Sequence, residues 1–149
     1  MTQLERQTLA DFTARWFALW TEADRQARSK QVADLWAVDG AQVLVDPPQE
    51  VRDAAKALAF PVPRFEVRGH AEIDRRVAQA YAMFIEPGEY TFKATGDVDA
   101  VLLMEPGLVG LAWEMVSLAD GTVAGRGYDV FALDDDGRIL LDHQHIALN

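Results

Sequence analysis

The chain has 149 residues, of which 50% are hydrophobic and 26% charged, a composition typical of one folded domain rather than of a disordered chain. It contains no cysteine, which excludes disulfides, thiol catalysis and cysteine-based zinc sites. A net charge of −10 would repel phosphate backbones and argues against a nucleic-acid partner. The opening residues lack the apolar stretch of a secretory signal, and no apolar run reaches about 18 residues. We therefore expect a cytoplasmic location without membrane contact.

The first half of the chain is predicted to be mainly helical. Apolar residues recur there at steps of three and four, which is typical of helices with one buried face. Residues 24–30 form either a charged break or a continuation of the first helix, and Gly40 and the Pro47-Pro48 pair interrupt the pattern. The predicted elements are helices around 9–23, 32–36 and 69–86, a short strand over 41–46 and a weak helix over 49–58.

The second half is predicted to consist of strands and turns. Asp120-Gly121 and Asp136-Gly137 are dipeptides typical of tight hairpins. Strands are predicted over 90–95, 98–104, 108–118, 122–133 and 138–148. Helices followed by an antiparallel meander favour an α+β fold, and we expect a single domain over residues 1–149.

Two aspartates are candidates for chemistry. Asp129 lies in a strand that is apolar on both faces, so its carboxyl group must be hydrogen-bonded, paired or protonated. A structural aspartate and a functional acid both fit this position. Asp46 ends the first strand before Pro47, either as a turn residue or as a general base at a pocket mouth on the face of Leu44.

The last strand places its polar residues on two faces. Asp142 and Gln144 share one face with Ile146, whereas His143 and His145 share the other. Two histidines at this spacing can bind one metal ion, but no third ligand is evident, so we favour an exposed polar pair and expect no metal. Asp142 and Gln144 are the better candidates if their face lines a pocket.

Glycines and tryptophans bear on whether such a pocket exists. Gly125 and Gly127 share the face of Asp129, where missing side chains leave space or mark a bulge. Space beside a buried acid is what a pocket needs. Either core packing or the aromatic lining of a cavity accounts for the tryptophans, which are Trp16, Trp20, Trp36 and Trp113.

Four short segments together resemble one superfamily. They are 15–20, 43–47 (a "V-E-D-P" type strand), 69–73 (a "G-R-E-x-I" type helix start) and 127–131 (an "I-D-V" type strand). The chain thus resembles the nuclear-transport-factor-2-like (NTF2-like) superfamily, and within it ketosteroid isomerase and the SnoaL-like polyketide cyclases. The resemblance implies a cone-shaped, cystatin-like α+β barrel: a curved antiparallel sheet with three N-terminal-half helices enclosing a cavity. It also implies a homodimer formed near Glu114, His143 and His145 on the outer face of the sheet.

The resemblance further implies roles for individual residues. Asp46 matches the proton-transferring base of the isomerase, and Asp129 matches a protonated acid that donates to the substrate oxyanion. Trp16 stands where the isomerase has a tyrosine, and its indole N–H can donate a hydrogen bond but cannot act as an acid. Asp142 is the third expected catalytic group. Together with the aromatic-cavity interpretation, this matching gives as expected substrate contacts Trp16, Trp36, Trp113, Met115, Gln144 and Ile146.

Two functions remain open from the sequence. In the first, the protein is a cofactor-independent enzyme that acts on a small apolar carbonyl or polyketide-like molecule by isomerase, cyclase or dehydratase chemistry. In the second, it is a non-catalytic binding or accessory domain. Residues 47–68 form a longer link than in the isomerase, and we expect Ala54–Phe65 to be a lid over the cavity.

Overall fold

The computed structural model describes residues 3–57 and 65–148, and within them the chain forms four helices and seven strands. The helices are α1 (Gln3–Thr21), α2 (Arg25–Leu35), α3 (Gln49–Ala57) and α4 (His70–Ala80), which continues as a π-helical turn over Tyr81–Ile85. The strands are β1 (Trp36–Val45), β2 (Glu66–Arg68), β3 (Tyr90–Ala94), β4 (Val101–Met104), β5 (Leu108–Ser117), β6 (Val123–Leu133) and β7 (Ile139–Leu148). The predicted α+β class is confirmed, with four helices where the resemblance implied three. No helix in this part of the chain is long and apolar enough to cross a membrane.

One curved, unclosed sheet contains all seven of these strands. Its order is β2-β1-β7-β6-β5-β3, and β4 also pairs with β5. Every pair is antiparallel, as expected, except β1 with β7, which run parallel. Parallel strands need a long crossover connection, and the chain between β1 and β7 supplies one. This pairing brings the last strand next to the first.

The start of β1 differs from the sequence prediction. Trp36 begins the strand rather than ending a helix, because α2 is a separate helix that starts after its N-cap residue Asp24. Asp24 Oδ2 accepts a hydrogen bond from the Ala27 amide at 2.9 Å. Gly40 lies in an irregular stretch of β1 between the pairs that Trp36 and Ala41 make with β7. A Cβ atom at Gly40 would lie 2.7 Å from the Ile139 carbonyl oxygen, so this close approach requires glycine.

The hydrophobic core lies between the helices and the concave face of the sheet. Phe131 of β6 is fully buried there, and its ring meets Phe12 and Trp16 of α1 edge-on, at centroid distances of 5.0 and 4.7 Å. Such edge-to-face pairs add to the stabilisation from buried apolar area. Ile73 and Val77 bury the inner face of α4, as the helical periodicity predicts. The core therefore ties α1 and α4 to the sheet at one end of the concave face.

Candidate functional site

The remainder of the concave face borders a cavity. Most of its wall is aromatic or aliphatic, and three polar side chains interrupt that wall. The space open to the centres of water-sized spheres is about 80 Å³. An engineered enclosed cavity of roughly 150 Å³ admits benzene, so a ligand of that size fits here by extending beyond the cavity or by displacing wall side chains. The lining residues are Trp16, Phe17, Trp20, Leu44, Val51, Arg76, Gln79, Ala80, Met83, Phe84, Phe92, Trp113, Met115, Gln144 and Ile146.

The strands reach the cavity with alternate residues. On β7, Asp142 and Gln144 are buried while His145 is exposed, so the predicted alternation of this strand is confirmed. The parallel pairing places Gln42 of β1 beside Asp142 and Leu44 beside Gln144. Polar side chains from β1 and β7 therefore meet on the inner face of the sheet.

Asp129 of β6 organises two of the wall residues. Trp113 Nε1 donates a hydrogen bond to Asp129 Oδ1 at 2.7 Å, and Gln144 Nε2 donates to Asp129 Oδ2 at 3.1 Å. Asp129 is itself 0% exposed and lies outside the cavity wall. Because the amide nitrogen of Gln144 donates to this carboxylate, the Oε1 atom of Gln144 remains as a hydrogen-bond acceptor.

The indole of Trp113 occupies the space that the sequence suggested would stay empty. Gly127 lies directly opposite Trp113, and a Cβ atom on Gly127 would overlap the indole ring. The missing side chain therefore lets Trp113 lie flat across β6 and reach Asp129, two residues further on. The space expected at Gly127 is filled by an aromatic side chain, which is a correction to the sequence interpretation.

A second part of the polar cluster connects Asp142 to α4. Gln42 Nε2 donates to Asp142 Oδ2 at 2.9 Å, and Arg76 Nη1 donates to Gln42 Oε1 at 3.3 Å. Burial lowers the pKa of Arg76 to about 10, against the opposing attraction of Asp142 and Glu72. Arg76 therefore remains a cation at neutral pH, although only 7% of it is exposed.

Asp129 and Asp142 form a hydrogen-bonded carboxyl pair. Burial raises the pKa of Asp129 to about 6, and burial together with the charge of Asp129 raises the pKa of Asp142 well above its ordinary range. Asp142 Oδ1 has no partner among the described residues if both groups are ionised, and a proton on Asp142 donated to Asp129 provides one. Burial and the mutual repulsion of the two groups therefore favour a pair that shares one proton and carries one negative charge.

The structure divides the residues that the sequence proposed for the site. Trp16, Trp113, Met115, Gln144 and Ile146 border the cavity, and Asp129 and Asp142 lie behind Trp113 and Gln144 in one cluster. Two other expected residues, Trp36 and Asp46, lie outside the cavity wall.

Trp36 and Asp46 lie outside the cavity wall for different physical reasons. Trp36 is 0% exposed and packs behind Trp16, with a ring-centroid distance of 6.2 Å, so it belongs to the core. Asp46 is exposed, and its positive φ of 49° ends the strand alternation that would have placed it on the face of Leu44. The expected base thus lies away from the carboxyl pair.

Sequence reasoning missed the contribution of α4 to the wall. Four residues at helical spacing face the cavity together: Arg76, Gln79, Ala80 and Met83. The apolar periodicity of α4 was visible, but two polar residues within that face were not recognised as part of it. The available signal was the position of Arg76, which follows the apolar Ile73 by three residues and directly precedes the apolar Val77.

The predicted lid is only partly within the described residues. Residues 49–57 form α3, and Val51 of this helix borders the cavity, while residues 58–64 lie outside the part that the structure describes. Within residues 3–57 and 65–148, no three histidine, aspartate or glutamate side chains are grouped as a metal site.

Comparison with known proteins identifies the fold. No protein-family model matches the chain, and no curated protein matches its sequence. A SnoaL-like family protein from Agrobacterium tumefaciens has a similar structure, with a TM-score of 0.66 and 19% identity over 95% of this chain and 98% of its own. A SnoaL-like protein of unknown function from Burkholderia thailandensis has a TM-score of 0.61 at 17% identity, over 99% and 98% of the two chains. For a steroid delta-isomerase from Pseudomonas aeruginosa the TM-score is 0.53 at 14% identity, over 94% and 80%.

At these identities the similarity establishes the fold. The chain has the cone-like fold shared by SnoaL-like and NTF2-like proteins, as the four sequence segments predicted.

Proposed function

We propose that this protein binds a small, largely apolar molecule in the cavity between α1, α4 and the concave face of the sheet. The observation that carries the proposal is the composition of the wall, which is aromatic and aliphatic except for Arg76, Gln79 and Gln144. Apolar surface provides affinity, and a few polar groups fix the orientation of a ligand. The hydrogen bonds from Trp113 and Gln144 to Asp129 hold two wall residues in place before a ligand arrives.

The proposal is tested by filling the cavity. Ala80 lines it, so Ala80→Phe would place a ring in the ligand space, whereas Ala71→Phe puts the same side chain on an exposed position of the same helix. We expect cyclohexanone and δ-valerolactone to raise the melting temperature of the wild type and of Ala71→Phe, but not of Ala80→Phe. Equal shifts in the wild type and in Ala80→Phe would contradict binding in this cavity.

Native mass spectrometry of the purified protein provides an independent test. A small apolar molecule that leaves with wild-type protein and is absent from Ala80→Phe would support the proposal and supply a ligand class. A released molecule that is retained equally by both variants would place the binding site elsewhere.

A second candidate function is acid/base catalysis on a carbonyl compound. The buried carboxyl pair favours it, because two hydrogen-bonded carboxyl groups with raised pKa values can supply a protonated acid and a carboxylate next to the cavity. Both groups lie behind Trp113 and Gln144, so proton transfer to a ligand requires one of these side chains to move. The exposed position of Asp46 gives it no contact with the cavity wall, and the proton-shuttling role matched to it finds no support there.

Hydrogen exchange separates catalysis from binding. An enzyme of this kind would speed the exchange of hydrogen for deuterium at the carbon next to the carbonyl of cyclohexanone, and Asp129→Asn would abolish the acceleration. If wild-type protein binds the ketone but exchange occurs at the background rate, the result would contradict catalysis and support binding only.

A further inference from the structure

We propose that the ligand of this cavity carries a carboxylate group, and that Arg76, assisted by Trp20 and Gln79, binds it. The inference rests on the proposed binding function and names the chemical class of the ligand. It depends on the type and position of the polar groups in the wall.

The first observation is a buried cation in an apolar wall. Arg76 borders the cavity and is 7% exposed, so its charge has little contact with bulk water. Electrostatic attraction to an anion is much stronger in such surroundings than in water. A guanidinium group also presents paired N–H donors whose geometry matches a carboxylate.

The second observation is a buried donor without a partner. Trp20 borders the same cavity from α1, and its Nε1 atom is buried and has no hydrogen-bond partner among the described residues. A buried N–H group without a partner has lost the hydrogen bond that it makes with water in the unfolded chain, so a ligand oxygen that accepts its hydrogen bond is favoured. An indole N–H can only donate, which selects for an acceptor on the ligand.

The third observation is the spacing on α4. Gln79 follows Arg76 by three residues, so the two side chains lie one turn apart on the same face, and both border the cavity. The amide of Gln79 can donate to the second oxygen of a carboxylate that Arg76 holds. The polar part of the wall therefore contains donors from two helices.

The carboxyl pair adjusts the charge around Arg76. Asp142 attracts Arg76 from β7, and Glu72 attracts it from the preceding turn of α4. Because the buried pair shares one proton, it presents one negative charge instead of two, and Trp113 and Gln144 donate hydrogen bonds to Asp129. An anionic ligand at Arg76 therefore meets less negative charge than two ionised carboxylates would present.

The test compares acids with their neutral isosteres. Isothermal titration of wild-type protein at pH 7 would use two pairs of probes, 3-methylbutanoate with 3-methylbutanamide and benzoate with benzamide. Each pair has the same shape and differs in charge. We expect at least one carboxylate to bind at least about tenfold more tightly than its amide, since charge-assisted hydrogen bonds are roughly twice as strong as neutral ones. Equal affinities within both pairs would overturn the inference without contradicting the binding function.

Variants then assign the preference to residues. Arg76→Met removes the charge and retains a long apolar stem, so the affinities for the carboxylate and for its amide should become equal. Arg76→Lys should retain part of the preference, and Trp20→Phe should weaken carboxylate binding more than it weakens binding of a hydrocarbon probe such as methylcyclohexane. A carboxylate preference that survives Arg76→Met would overturn the assignment. Failure of acid, amide and hydrocarbon alike to bind the wild type would instead contradict the proposed function itself.

Discussion

The buried carboxyl pair predicts an unusual dependence of stability on pH. Most acidic groups in folded proteins stabilise the native state as the pH rises, whereas Asp129 and Asp142 should do the opposite. Burial raises the pKa of both groups, so above pH 4 the native state binds more protons than the unfolded state. The free energy of unfolding should therefore fall as the pH rises from 4.5 to 6.

The magnitude follows from the two groups. The pKa of Asp129 rises from 3.8 to about 6, which corresponds to about 3 kcal/mol of stability lost by the time Asp129 is ionised in the native state. The pKa of Asp142 is raised as well, so this group should add a loss of similar slope. The combined slope is on the order of 3 kcal/mol per pH unit between pH 4.5 and 6.

Asp142→Asn is the informative variant. The asparagine oxygen can accept the hydrogen bond from Gln42, and its amide can donate to Asp129, so the variant reproduces the protonated carboxyl group without its ionisation. We expect the slope between pH 4.5 and 6 to fall to about half of the wild-type value. Between pH 4 and pH 6, the difference in unfolding free energy between the variant and the wild type should change by about 3 kcal/mol in favour of the variant.

Urea unfolding followed by tryptophan fluorescence at four pH values measures these slopes. Asp135→Asn removes an exposed carboxylate and serves as the matched control, which should leave the slope unchanged. Hydrogen bonds from Lys30 and Thr122 lower the pKa of Asp34 and Asp120 respectively, and these exposed groups act below the chosen pH range. Parallel slopes for the wild type and Asp142→Asn would refute a shared proton in the pair.

Three further predictions concern packing and assembly. Gly127→Ala should displace the Trp113 indole, destabilise the protein by about 1–3 kcal/mol and shift its fluorescence; an unchanged emission spectrum would contradict the described packing. Phe131→Ala should cost about 3–5 kcal/mol in urea unfolding because the ring is fully buried against Phe12 and Trp16, and a loss below 1 kcal/mol would be inconsistent with that position. The homodimer implied by the family resemblance should appear as twice the 16.6 kDa monomer mass in light scattering at micromolar concentration, and a monomer would contradict it.

The sequence by itself determined the class of fold and the chemical problem at Asp129. Periodicity at steps of three and four marked α1 and α4, and the Asp-Gly dipeptides marked the hairpins that join β5, β6 and β7. A carboxyl group in an apolar strand must be paired or protonated, and its pairing with Asp142 satisfies that requirement. These inferences succeed because helical spacing, strand alternation and the cost of burying a charge are local properties.

The tertiary structure alone decided which groups meet at the cavity. Gln42 reaches Asp142 across 100 positions of sequence because β1 and β7 pair in parallel, and no local pattern specifies that pairing. Arg76 enters the same cluster from α4, where its neighbours Ile73 and Val77 are core residues. Asp46 leaves the expected site because one residue with positive φ ends the alternation of β1. The site thus depends on contacts between distant segments, which form only when the sheet and the helices pack around the core.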